Sequence, residues 1–185
     1  MLAGSCLSER ETCAIVKNLS SGTKITSQRK NTTAQKLLNP LSVFSPQSRD
    51  ELNSAIDDCL GVSPESNRTV RLHGPIGQWD VTQVTDMSKL FNIKDTFNYD
   101  LSNWDVSRVT DMCAMFSHAK SFNQDLSKWD VSRVFNMQEM FENANSFNQT
   151  LCGAAWVNSN ASKIEMFDFS PGRISDKVCG VCMLW

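Results

Sequence analysis

Residues Phe122–Val134 read FNQDLSKWDVSRV, and residues Phe97–Val109 read FNYDLSNWDVSRV. Laid over each other without a gap, Phe97–Ser121 and Phe122–Ser146 agree at sixteen of twenty-five positions. A partial copy, WDVTQVTDMSKLF, begins at Trp79, again twenty-five residues before Trp104. A fourth copy is degenerate: Trp156 follows Trp129 by twenty-seven residues and sits in CGAAWVNSN, where the others keep DLS-x-WDVS. A fixed period of this size is the sign of a solenoid, in which units pack on their neighbours and end units are atypical. One unit alone buries too little apolar surface to offset the entropy of ordering itself.

Each unit divides in two. Val84, Met87, Leu90 and Phe91 fall at helical spacing, as do Val109, Met112, Met115, Phe116 and Val134, Met137, Met140, Phe141. This predicts a turn or two of helix over Met112 to Ser117. Asp86, Asp111 and Asn136 stand just before these runs, where a side-chain oxygen can cap the first turn. In the other half, Phe122, Gln124 and Leu126 alternate as in a short strand with Phe and Leu inward. Phe97 with Leu101, and Phe147 with Leu151, occupy the same places. Asp105-Val-Ser and Asp130-Val-Ser predict Asx-turns, the carboxylate accepting from the amide two residues on. The expected architecture is α/β: about four strand-plus-helix coils whose core is the Trp79–Trp104–Trp129 column together with the Val, Met, Phe and Leu columns.

The flanks differ from the repeats. Residues 1–47 are polar, without an acid between Thr12 and Arg49, and read as a disordered basic segment. Residues 48–71 hold a capping helix and lead-in. Ser48 and Glu51 form a capping box, Leu52, Ala55, Ile56, Cys59 and Leu60 make one stripe, and Gly61 supplies the stop. The repeats run over 72–169, and 170–185 form a tail. A net charge of −2 gives no case for nucleic acid, and no apolar run is long enough to span a bilayer. The opening MLAGSCL is too short for a secretory leader.

The text WDVS-x-VT-[DN]-M-x-x-MF-x-x-A-x-x-FNQDLS resembles the repeat of the BspA-like leucine-rich-repeat surface proteins. The likeness covers roughly Ser48 to Phe167 and departs from the pattern at Phe135, where Thr is usual, and in the fourth copy. It implies a leucine-rich-repeat-like solenoid with an N-terminal capping helix. It also implies a cell-surface or secreted module for adhesion or protein–protein contact, with no defined ligand and no catalytic residue.

Several side-chain groups bear on function. A Trp column could stack sugar rings, although a Trp at fixed repeat phase ordinarily packs with its N–H bonded to a neighbour. Asp80, Asp105 and Asp130, with Asp100 and Asp125, could hold calcium only with many more oxygen ligands than the glycine-free repeat supplies. Asn98, Asn123 and Asn148 are expected to form an internal amide ladder, which would make the Asn-x-Thr motif at Asn148 unusable. That motif is one of five, with Asn18, Asn31, Asn67 and Asn160, against roughly three expected by chance. Gln83, Arg108 and Arg133 share one phase near Lys128, and a column of exposed guanidinium groups can engage carboxylates or sulfated sugars. This face is the candidate binding surface.

Seven cysteines show no framework spacing. Cys179 and Cys182 form a CGVC pair, read as two thiols or one local disulfide. No nucleophile, phosphate-loop or metalloprotease motif is present, so no enzyme and no cofactor are expected. The leading expectation is a non-catalytic module binding an unknown protein or glycan partner, extracellular or at a cell surface. The alternatives are an intracellular repeat scaffold and a redox or metal protein using the CGVC pair.

Overall fold

The computed structural model describes residues 43–61 and 73–179. The segment expected to be disordered therefore lies, up to residue 42, outside the described residues, as does Cys182. The first element is helix α1 (Arg49–Cys59). The Ser48 side chain accepts the Glu51 amide at 3.1 Å, while the Glu51 carboxylate takes the amide of Gln47 at 2.9 Å. The box therefore closes one residue earlier than its usual form, which bonds back to the cap residue itself. Gly61 ends the helix at φ 69°, its amide on the Asp58 carbonyl. The stripe Leu52, Ala55, Ile56 and Cys59 is buried in one core with the repeats.

The repeats stack in register. Parallel bridges join Asp86 to Asp111, Asp111 to Asn136, and Asn136 to Ser162. Each 25-residue turn, here called a coil, thus lies on the next. The Trp, Val, Met and Phe columns named above are all buried, as are Leu101, Leu126 and Leu151. Phe91, Phe116, Phe141 and Phe167 form a stacked ladder with centroids 5.2, 5.5 and 5.5 Å apart. Phe97, Phe122 and Phe147 form a second ladder at 5.8 Å spacing. Each buried Phe contributes about 2–3 kcal/mol by leaving water, and the near-parallel rings keep the coils at one spacing.

Neither half of the coil adopts the regular element its periodicity suggests. Over residues 112–119, the amides of Met115, Ser117 and Ala119 bond within the coil to the carbonyls of Met112, Ala114 and Phe116. The amides of Met112, Ala114, Phe116 and His118 instead cross to Asn136, Gln138, Met140 and Glu142 of the next coil, at 2.8–2.9 Å. The segment is a chain of turns, with Ala114 and His118 at positive φ. An α-helix would point its amides along its own axis and leave none to reach sideways to the next coil. Asp86, Asp111 and Asn136 accordingly make Asx-turns to Ser88, Cys113 and Gln138 rather than helix caps.

In the FNQDLS half, side-chain amides stand between the backbones. The Asn98 Oδ1 accepts the amide of Asn123 at 2.9 Å, and Gln124 Nε2 donates to the Asn98 carbonyl at 3.0 Å. Asn123 and Gln149 repeat this one coil on. The ladder is on the surface, not internal, because Asn98, Asn123 and Asn148 are exposed. Direct pairing occurs where no such carboxamide intervenes: β1 (Thr150–Leu151) pairs parallel with β2 (Arg173–Ile174), and the Arg173 amide bonds to the Gln149 carbonyl.

The tail is therefore part of the stack. It returns over the fourth coil and is covalently held there, since Cys179 is disulfide-bonded to Cys152, with Cα atoms 5.1 Å apart. This corrects the reading of Cys179 as a free thiol or half of a local disulfide: β1–β2 pairing and a Cys179 amide bond to the Cys152 carbonyl bring these two distant cysteines together. Cys59 is also disulfide-bonded, and Cys113 is free and half-buried. Burial pushes the Cys113 thiol above its usual range, with Asp111 and Glu139 adding to the effect.

Candidate binding face

The lateral face begins at the Asx-turns. Ser107 and Ser132 amides donate to Asp105 and Asp130 at 3.0 Å each, and the Thr82 amide to Asp80 at 3.1 Å. Each turn points one valine inward and the next, three residues on, inward again (Val106 with Val109, Val131 with Val134). The two residues between must then face away from the core. Gln83, Arg108 and Arg133 are exposed for this reason. Arg108 Nη1 donates to Gln83 Oε1 across the coil boundary at 3.4 Å, so these two side chains are brought together. Arg133 lies beside Asp130, whose carboxyl is held below the usual range mainly by the Ser132 hydroxyl and amide, with Arg133 adding to it. Lys128 is exposed but its charge acts on Asp100, chiefly held down by the Ser102 amide, rather than joining the arginine column.

The Trp column is not part of this face. Trp104, Trp129 and Trp156 are buried and donate their indole N–H to the carbonyls of Ile76, Leu101 and Leu126 at 2.8, 3.0 and 2.8 Å. Trp79 does the same to Gly74 at 3.2 Å. Among the described residues no indole face is left for a sugar ring to stack on.

The structure adds a feature the arginine spacing does not contain. Phe135 is 65% exposed, although the same position in earlier coils is Thr85 and Thr110. It lines a groove of about 570 Å³ with Arg133, Ala155, Asn158 and Ala161. The groove opens where the fourth copy slips: α2 (Ala154–Val157) carries Trp156 at its third residue, WVNS stands where the two preceding copies have WDVS, and the register places Ala161 opposite Phe135. The two departures from the repeat text, Phe135 and the longer Trp129–Trp156 spacing, are its signal in the sequence.

His73 packs on Phe44 with ring centroids 3.9 Å apart and the rings tilted by 47°. Among the described residues no group of three His, Cys, Asp or Glu is placed to hold a metal ion. No helix among them is long and apolar enough to cross a membrane.

Residues 63–173 match the family described as Mycoplasma protein of unknown function, DUF285. The chain belongs to this family. As a DUF285 member it carries a family description that assigns no ligand and no activity, so the face is read from its own chemistry. No curated protein and no solved structure matches the chain.

Proposed function

We propose that this DUF285 chain is a non-catalytic module of the BspA-like leucine-rich-repeat surface type. Its coils form a solenoid that binds a protein or glycan partner through the face carrying Gln83, Arg108, Arg133 and Phe135. The observation that carries the reading is the exposed Phe135 ring beside Arg133 at the groove. Aromatic and arginine side chains in a concave setting supply most of the affinity at macromolecular interfaces. Nothing in the packing requires a ring there, since Thr85 and Thr110 fill the same position in the coils before it. The Cys152–Cys179 disulfide supports an oxidising compartment, the environment in which such bonds persist.

The test uses arrayed sulfated and neutral glycans and acidic peptides as probes. Phe135→Thr restores the usual repeat residue, and Arg108→Glu with Arg133→Glu reverses the column. Binding that falls about tenfold or more in each variant, with melting temperature retained, supports the reading. Binding that both variants leave unchanged, or no binding to any probe at low salt, removes this face.

A further inference from the structure

We infer that Asn148 is an acceptor for an N-linked glycan. Three copies of the strand half present an asparagine at this phase, and they differ in two respects. In the first two, Asn98 and Asn123, the carboxamide is engaged: each Oδ1 accepts the following coil's backbone amide and a glutamine Nε2, all at 2.9 Å. At Asn148 the following segment bonds elsewhere, because the Arg173 amide goes to the Gln149 carbonyl. Among the described residues nothing bonds to the Asn148 carboxamide, and the residue is exposed. This side chain can swing away from the stack without breaking a bond between coils.

The second difference is two residues on. Asp100 and Asp125 make Asx-turns, accepting the Ser102 and Ser127 amides at 2.8 Å. The third copy has Thr150 there, so NYD and NQD become NQT. The exchange gives up a carboxylate that holds the turn in both earlier coils, and it completes the acceptor motif at the one asparagine of the column whose side chain is free. Asn160, the other described motif, is exposed as well and is set apart by its surroundings. It lines the groove, and its partner Ser162 already accepts Gln138 Nε2 at 3.0 Å.

In the transfer, Asn148 Nδ2 bonds to the anomeric carbon of an oligosaccharide carried on a lipid diphosphate. The bond from that carbon to the diphosphate oxygen breaks, the lipid diphosphate leaves with the electron pair, and Nδ2 loses one proton. Occupancy in the native source rests on the oxidising-compartment reading given above; the competence of the acceptor does not.

The experiment secretes the full chain from a glycosylating host behind a cleavable leader, then maps sites by enzymatic release and mass spectrometry. The expected result is conversion of Asn148 to aspartate on release, lost in Asn148→Gln and in Thr150→Ala and retained in Thr150→Ser. The glycosylated and enzymatically trimmed chains are expected to melt at the same temperature. Unmodified Asn148 in secreted chain whose Cys152–Cys179 bond has formed overturns the inference, as does a glycan there that lowers the melting temperature. Reduced Cys152 and Cys179 in chain from its native source would instead defeat the compartment reading and leave the host result standing.

Discussion

The Arg49 guanidinium donates to the carbonyl of Ser88, the atom that one coil later, at Cys113, accepts the amide of Lys89. Arg49 thus supplies from α1 the donor that a preceding coil would otherwise provide. Its Nε also lies 3.7 Å from an Asp86 carboxylate oxygen. Among the described residues no coil precedes the first, and a stack whose edge carbonyls lack donors frays or recruits strands. Lys94 and Asp57, 2.7 Å apart, fix the helix at a second point.

Replacing Arg49 with Ala is therefore expected to cost about 1–2 kcal/mol, the scale of one charge-assisted hydrogen bond at a partly exposed site. Urea unfolding should show the lower midpoint. Arg49→Lys, which retains the charge and a donor, should recover part of the loss.

Ile93 stands at φ 59°, in a column with His118, Asn143 and Phe169, all between 54° and 59°. A β-branched residue in the left-handed region is strained by about 1–2 kcal/mol. Ile93 is also 69% exposed, so little burial is lost on replacing it. Ile93→Asn, copying Asn143, should raise stability by about 0.5–1.5 kcal/mol. An unchanged or lower urea midpoint would contradict this.

The turn carboxylates predict acid sensitivity. Asp80, Asp100 and Asp130 are all held below their ordinary range, Asp80 and Asp130 chiefly by the Thr82 and Ser132 hydroxyls and Asp100 by the Ser102 amide. A carboxyl with a depressed folded-state pKa adds stability above its unfolded value. That stability is lost as pH falls through the folded value. The urea midpoint should hold from neutrality to about pH 5 and fall below about pH 4. Asp100→Asn and Asp130→Asn keep a turn oxygen that does not titrate, so the pair together should make the fall shallower.

The tail disulfide closes a separation of 27 residues. Loss of a cross-link of this span costs about 3 kcal/mol. Cys179→Ser, which leaves the Cys59 bond untouched, should lower the melting temperature and expose the segment after Phe169 to protease. Equal protease resistance in the two forms would show that β1–β2 pairing holds the tail unaided.

Much of the interior was legible because the same environment recurs every coil. Trp104 and Trp129 sit at equivalent places in successive coils, each bonding to a carbonyl one coil back, so identity at a spacing of twenty-five residues marks them as core. The same holds for the Asx-turns at Asp105 and Asp130, which need only the residues two positions on. The groove was less legible. Phe135 shows in the sequence as a departure from Thr, but its exposure depends on Ala161 lying opposite, in a copy whose register has slipped.

The sequence by itself determined the period, the buried columns, the cap of α1 and the local turns, since each follows from spacing or from neighbours a few residues away. Tertiary structure alone decided that residues 112–119 turn rather than wind into a helix, and that Cys179 bonds to Cys152. It also decided that Asn123 is engaged while Asn148 is free. The physical reason is common to all three: a backbone amide, a thiol or a carboxamide takes whichever partner the adjoining coil presents, and that partner is about twenty-five residues away along the chain.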